Sequence, residues 1–538
     1  MEHWMGGAAT VIAAIMLLNW RFGNQSAGDT YGTTRWSNPF ELFHKGAFKK
    51  GGIRVGDIAG RKSVFYHGSH SVTIGATGSG KGIAAIVPAS LERDYIFLID
   101  PGGENTAIAA KHWRAKGYAF FCINPFEEFT EAPWALPVHG FNPLGILDPA
   151  SPRFLADVTM IAEMLLPQRS HESATADFFR MRALAVIRGM IVYIVTAEPT
   201  ARRHLGTLYE YMTLPRDGWV RLLRRMQGNA SFGGIIAATA ELLIAGEVRA
   251  PEETQGVLST INKALGFLDD PQIRDFLARS EVDFEVLKGM GAGTRGAVIS
   301  VILPLKYLNS HMVIQRLAVA CAIKTLQSKP LAKSNVLMLL DEAASLGRIE
   351  DFPVWLATLR KYNVSIWSIW QNIGQIKELY GRSWEVVLGN CGLKQFLSIG
   401  DLETAKYVEE LIGRATVHSV SRNHKGERSL SQCARPLKLA EELLRLPSDR
   451  QVAQIDNNQP LVLRKTAYFE RPEFAGRCED NPYRQGLPSS QPGVRDALMA
   501  LWGDVYGALV WWMAPSKPAA LVYLLLALIA ALKLQAVL

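Results

Sequence analysis

The chain has 538 residues, 48% hydrophobic and 20% charged, with a formal net charge of +8. That length can bury a large core and suits two domains plus extensions, in a globular balance with some membrane content. The mild positive charge is compatible with a polyanionic partner or an anionic membrane face. Cys122, Cys321, Cys391, Cys433 and Cys478 include no Cys-x-x-Cys pair. That argues against a disulfide framework or a structural zinc site and suits a reducing compartment.

Residues 5–19 are mostly apolar and uncharged, between Trp4 and Trp20. The run is short for a membrane span, but it carries an aromatic residue at each end, as interfacial belts do. The only ionisable side chains ahead of it are Glu2 and His3, so it lacks the basic start of a signal peptide. Positive residues follow instead, at Arg21, Arg35, Lys45, Lys49 and Lys50. The positive-inside rule then turns the N-terminus outward and the main body toward the cytoplasm. Residues 1–21 are expected to form a membrane anchor. Residues 22–62, rich in Gly, polar and aromatic types, read as a linker with short strands.

Residues 72–74, Val-Thr-Ile, read as a strand entering Gly75-Ala76-Thr77-Gly78-Ser79-Gly80-Lys81-Gly82. Apolar residues 83–87 then suit a helix packed on a sheet. This strand–loop–helix context is that of a phosphate-binding loop. Its glycines let backbone N–H groups point inward, and the helix N-terminus adds its positive end. Lys81 is placed to reach the β- and γ-phosphates of a nucleotide. The next position usually carries a Ser or Thr hydroxyl for Mg²⁺, and here it is Gly82. Residues 95–99 and 120–123 are further strands, ending at Asp100-Pro101-Gly102-Gly103-Glu104 and Asn124-Pro125. Strands alternating with helices predict a mainly parallel α/β sheet with ligands at the strands' C-terminal ends. A first part of the nucleotide-binding domain is placed at 63–152.

From 153 to 280 the strand signal fades. Residues 156–166, 178–195 and 219–226 have helical spacing, so an all-α insertion domain is expected there. Arg221, Arg224 and Arg225 share one helical face. A solvated face is favoured for them over contact with DNA or protein. His171 and His204 have no partners at metal-ligand spacing. Strand character returns at Ala297–Leu303, Val336–Leu340 and Val364–Trp370, within a second part of the nucleotide domain at 281–475. Trp367 and Trp370 are expected in its core. The run 336–340 is apolar on both faces, as a central parallel strand is, and closes on Asp341 and Glu342. Asp341 would hold Mg²⁺ through water, and Glu342 would polarise the attacking water. Loop and acidic strand together predict a P-loop nucleoside triphosphatase using ATP and Mg²⁺. Residues 476–538 form a C-terminal extension with apolar stretches at 505–512 and 519–532, parted by Pro515 and Pro518. A single span, a re-entrant hairpin and a core-packed helix all fit this tail, and membrane association is favoured.

Over roughly residues 30–475 these motifs resemble the coupling proteins of type IV secretion and conjugation systems, the TraG/TraD-type DNA-transfer ATPases. The likeness is carried by Gly32-Thr33-Thr34-Arg35-Trp36, the loop ending Lys81-Gly82, Asp100-Pro101-x-Gly103-Glu104 and Asn142-Pro143-Leu144. It continues through Leu340-Asp341-Glu342, Leu346-Gly347-Arg348, Gln371, Tyr380-Gly381, Asn390-Cys391, Glu403-Thr404-Ala405, Arg435-Pro436-Leu437 and Leu446-Pro447. Several family members share glycine at the position of Gly82. The family usually has lysine where Gly102 stands, and a two-span anchor where a single short run stands here.

The resemblance implies a RecA-like P-loop motor, assembled as a homo-hexamer at the bacterial inner membrane. It would deliver relaxase-bound single-stranded DNA or protein effectors to a type IV secretion channel. It assigns Lys81 to phosphate, Asp341 and Glu342 to metal and water, and Gln371 to sensing the γ-phosphate. Arg360 would be an arginine finger reaching a neighbour's nucleotide. A competing reading, which Gly82 keeps open, is a membrane receptor platform that docks substrate and turns nucleotide over weakly. Whether the cargo is DNA, protein or both is not legible in the sequence.

Overall fold

The structure, a computed structural model, describes residues 31–58, 62–168, 172–290, 295–422 and 428–484. Both terminal apolar regions, expected as a membrane anchor and a membrane-associated tail, lie outside the described residues. Among the described residues no helix is long and apolar enough to cross a membrane.

An 11-stranded sheet organises the molecule. Its early strands are β1 (Ile53–Ile58), β2 (Lys62–Tyr66), β3 (Ser71–Gly75), β4 (Tyr95–Pro101) and β5 (Ala119–Ile123). The later ones are β6 (Ala297–Leu303), β7 (Val336–Leu340), β8 (Val364–Trp370) and β9 (Leu393–Ser398). Strands β10 (Arg414–Arg422) and β11 (Arg428–Pro436) pair apart, and β12 (Arg450–Ile455) and β13 (Leu461–Arg464) rejoin the large sheet. The order is β2-β1-β13-β12-β9-β3-β8-β7-β4-β6-β5. Every pair from β9 to β5 is parallel, and the flank from β9 outward to β2 is antiparallel. This is the mainly parallel α/β sheet that the alternating pattern predicts.

Burial explains why the central strands read as unbroken apolar runs. In β4, Phe97 and Ile99 enter one core cluster while Ile96 and Leu98 enter another. In β7, Val336, Met338 and Leu340 face the first cluster, and Leu337 and Leu339 the second. Side chains alternate across a strand, so a strand covered on both faces shows no polar alternation. Trp367 and Trp370 are both buried, as expected.

Between β5 and β6 the named elements are helical, the longer ones being Phe154–Leu165, Ala174–Ala197, Leu205–Met212, Arg216–Gln227, Ile235–Arg249 and Pro251–Leu265. Ala174–Ala197 is the hub, burying Ile187, Met190, Ile191 and Ile194. The first cluster runs from this helix through Leu308–Gln327 to the sheet without a break. Helix Arg216–Gln227 buries Trp219, Leu222, Leu223 and Met226 and leaves Arg221, Arg224 and Arg225 exposed.

The stretch expected as a linker, 22–62, ends inside the sheet. Strand β1 pairs with both β13 and β2, and Ile53 and Val55 are core residues. Its charges obscured it: Arg54 and Asp57 are buried, and Arg471 donates to Asp57 Oδ2 at 2.9 Å. The start of the C-terminal extension also packs on the sheet domain. Asn481 bonds Glu104, and the Tyr483 hydroxyl donates to the Gly102 carbonyl at 2.8 Å.

Candidate functional site

The glycine-rich loop leaves β3 at Gly75 and turns back on itself. Ser79 N–H donates to the Ala76 carbonyl at 3.1 Å, and Gly78 and Gly80 take φ of 77° and 87°. Those angles suit residues without a Cβ. The chain then enters one π turn, Gly82–Ile86, and continues as the α-helix Val87–Glu92. Pro88, near the start of that helix, has no N–H to return to the preceding turn. Lys465, at the end of β13, supports the loop from beneath. Its Nζ donates to the carbonyls of Ser79 and Leu397, each at 2.8 Å. Burial lowers its pKa.

Lys81 Nζ lies 3.7 Å from Glu342 Oε2. Glu342 follows β7 in the left-handed region, at φ 57° and ψ 58°, a strained conformation for a long side chain. Two amides hold its carboxylate: Gln371 Nε2 donates to Oε2 at 3.0 Å and Gln375 Nε2 to Oε1 at 3.3 Å. Gln375 Oε1 in turn accepts from the Gln371 backbone N–H at 2.9 Å. Lys81, Asp341, Glu342 and Gln371 thus meet at the C-terminal ends of three parallel strands. The last three are 260 to 290 positions from Lys81 in sequence, and the β3-β8-β7 order brings them together.

Asp341 is partly buried beside Asp100, the aspartate near the end of β4. Burial first, then the Asp100 charge, pushes the Asp341 pKa up to about 7, with Lys81 opposing. Burial also raises that of Asp100, against hydrogen bonds from Thr106 and Asn105. Asn105 bridges the two: its Nδ2 donates to Asp100 Oδ1 at 2.8 Å and to Asp341 Oδ2 at 3.3 Å. Among the described residues no three His, Cys, Asp or Glu side chains gather as a metal cage. Mg²⁺ beside phosphates needs only one or two carboxylates, and the partly buried Asp341 next to Lys81 fits that requirement.

Arg360 lies elsewhere. It sits in the turn Leu359–Tyr362 that precedes β8, whereas Gln371 follows that strand. A seven-residue strand separates them by roughly 20 Å. Arg360 is exposed and lines a polar cleft of about 790 Å³ with His70, Arg93, Asn335, Asn363, Asn390 and Asp456. Within one chain, therefore, Arg360 does not approach Lys81. In the helical region, Arg221, Arg224 and Arg225 border a second open cleft with Glu198, Arg202 and Tyr211.

Sequence reasoning did not single out Asn105, Gln375 or Lys465. Asn105 stands two residues past the Asp100-Pro101-Gly102-Gly103 turn, and Gln375 one helical turn past Gln371, so their spacing offered a signal. Lys465 offered none, because its partners are carbonyls of the loop and of β9.

The sequence profile of the family described as "Type IV secretory system Conjugative DNA transfer" matches residues 26–486. A probable conjugal transfer protein TraG of Sinorhizobium fredii is 25% identical over 438 residues, covering 78% of this chain and 64% of that protein. The type IV secretion system-coupling protein VirD4 of Bartonella henselae is 24% identical, covering 77% of this chain and 65% of its own length. The chain thus spans somewhat less than two thirds of these relatives. In fold it is similar to the bacterial conjugative coupling protein TrwBdeltaN70, with a TM-score of 0.61 at 14% identity, covering 80% of this chain and 92% of that one. A TrwB structure in complex with ADP and Mg²⁺ gives 0.60 at 14% identity, over 86% and 97% of the two chains. With the family profile spanning most of its length, the chain belongs to the type IV secretory system conjugative DNA-transfer family.

Proposed function

We propose that the chain is the ATP-hydrolysing coupling protein of a type IV secretion system. It recruits relaxase-bound single-stranded DNA, protein effectors or both, and delivers them to the secretion channel. The observation that carries this reading is the convergence of Lys81, Asp341, Glu342 and Gln371 on one rim of the parallel sheet. Family membership supports the coupling role, and the ADP and Mg²⁺ bound by TrwB support the choice of ligand.

In this reading the loop from Gly75 through Ala76, Thr77, Gly78, Ser79 and Gly80 to Lys81 and Gly82 cradles the phosphates with backbone N–H groups. Lys81 pairs with the β- and γ-phosphates, which releases it from Glu342. Glu342, aimed by Gln371 and Gln375, orients the attacking water and accepts its proton. Gln371 reports the γ-phosphate to β8. Asp341 would hold Mg²⁺, which would supply charge neutralisation to the phosphates. Fixed charges and donors already in place need little reorganisation as charge develops.

Arg360 is out of reach of its own chain's loop, which supports a role on a neighbour's nucleotide in a homo-hexamer. The apolar termini support a location at the bacterial inner membrane with the main body in the cytoplasm.

The test uses the purified full chain. Lys81→Ala should abolish nucleotide binding or turnover, and Glu342→Gln should retain bound ATP without hydrolysing it. Hydrolysis by Lys81→Ala at the wild-type rate would sink the motor reading. Tight ADP binding with negligible turnover in the wild type would instead favour a docking platform.

A further inference from the structure

Gly82 removes the hydroxyl that a phosphate loop usually offers to Mg²⁺, yet the space beside it is taken. A Cβ built on Gly82 would lie 2.9 Å from Asn105 Oδ1. Asn105 stands in the first turn of the helix Glu104–Lys116 and is only 4% exposed. Its Nδ2 donates to Asp100 Oδ1 and to Asp341 Oδ2. The amide is thereby set with its nitrogen toward the two aspartates and its oxygen toward the loop. Oδ1 is then a buried acceptor with no hydrogen-bond partner. A buried polar atom left so is costly unless something binds it.

We infer that Asn105 Oδ1 takes the place of the missing hydroxyl as the neutral oxygen ligand of Mg²⁺. The metal is then held from the β4 and β7 sides, by Asn105 and Asp341, rather than from the loop. Hard cations take oxygen ligands, amide carbonyl oxygens among them. An aspartate at 105 would set a third carboxylate against Asp100 and Asp341, and like charges so close cannot all ionise. An amide escapes this, because one end donates to both carboxylates while the other offers an oxygen. The geometry also makes the two solutions exclusive: a side chain at 82 collides with the amide at 105.

The inference rests on the nucleotide reading of this site. Its test is the Mg²⁺ dependence of ADP affinity, measured by calorimetry with Mg²⁺ or with EDTA on the full chain. Electron paramagnetic resonance of Mn²⁺ counts bound metal in the presence of ADP. Asn105→Ala should weaken Mn²⁺ binding on the order of 10–100-fold, the range seen when metal-site partners are removed. Gly82→Ser alone should weaken it too, by crowding Asn105. The double variant Asn105→Ala, Gly82→Ser should recover most of the metal affinity, because the hydroxyl enters the vacated space. A merely structural role for Asn105 would not be rescued by a hydroxyl on another element. Asn105→Leu, which keeps the volume and removes the oxygen, should match Asn105→Ala. Wild-type Mn²⁺ affinity in either folded single variant at 105, or no recovery in a folded double variant, would overturn the inference. Failure of the wild type to bind ADP in both buffers would overturn the nucleotide reading first.

Discussion

At the C-terminal ends of β3, β7 and β8 the polar side chains are tied to one another; at the N-terminal ends of the same strands they line an open cleft. On the first rim Glu342 takes hydrogen bonds from Gln371 and Gln375 and faces Lys81, and Asn105 joins Asp100 to Asp341. On the second, Arg93 is held by Asn335 and the Gly51 carbonyl, but the Arg360 side chain stands exposed at the edge. The first rim is preorganised inside one chain. The second presents a cation outward, which suits action on a neighbouring copy.

The largest effect that could break this contrast is on hydrolysis. An arginine finger supplied in trans is worth about 10³ to 10⁵ in rate. Arg360→Ala should lose that much turnover while keeping ADP affinity, and Lys81→Ala should be inactive as well. Mixing the two variants creates interfaces with an intact Lys81 facing an intact Arg360, so partial ATPase activity should return. Full activity of Arg360→Ala alone would make the open rim a solvated surface and end the comparison.

A second test concerns acid stability at the open rim. His70 is buried, and its Nδ1 accepts the Ile366 N–H at 3.0 Å. Burial first, and the Arg360 charge second, push its pKa down to about 4 from 6.5. The unfolded chain therefore takes up a proton at a higher pH than the folded one. Stability present above pH 6.5 is lost as the pH falls toward 4, by up to roughly 3 kcal/mol. His70→Asn keeps an acceptor for Ile366 and should flatten that part of the profile. Urea midpoints measured from pH 7.5 to 4.5 decide this; equal acid slopes for the two proteins would refute it.

The smallest expected effect sharpens the closed rim. Lys465→Met leaves the Ser79 and Leu397 carbonyls without their charged donor. A loss of about 1–3 kcal/mol is expected in chemical denaturation, together with weaker ADP binding. Unchanged stability and ADP affinity would show that the loop holds its shape without that support.

The acidic strand shows how much of the site was legible. Val336–Leu340 with Asp341 and Glu342 declared itself because a strand buried on both faces is apolar throughout and its polar residues collect at the end. The phosphate loop declared itself through glycines at the positions of positive φ. Strand β9 stayed hidden because Lys394 and Gln395 interrupt it. Gln395 is 1% exposed, and its amide bonds Thr73, the Val55 carbonyl and Gln451. A buried polar residue reads as surface until its partners are known, and these partners come from three other strands. The same blindness left β1 as a short strand of a linker rather than part of the large sheet, where Arg471 answers its Asp57.

The sequence by itself pointed to the mainly parallel α/β sheet, the helical stretch between β5 and β6, and the candidate residues Lys81, Asp341 and Glu342, with Gln371 added only by the family resemblance. All but Gln371 depend on a local pattern: apolar periodicity, a glycine loop, carboxylates closing a strand. Only the tertiary structure decided which residues stand beside them. Asn105 meets Asp341 across 236 positions, and Lys465 meets Ser79 across 386. Strand order sets those meetings, and strand order follows from burying both faces of the whole sheet at once. It also sent Arg360 to the far rim, because a residue ahead of a strand and one behind it are separated by the strand's full length.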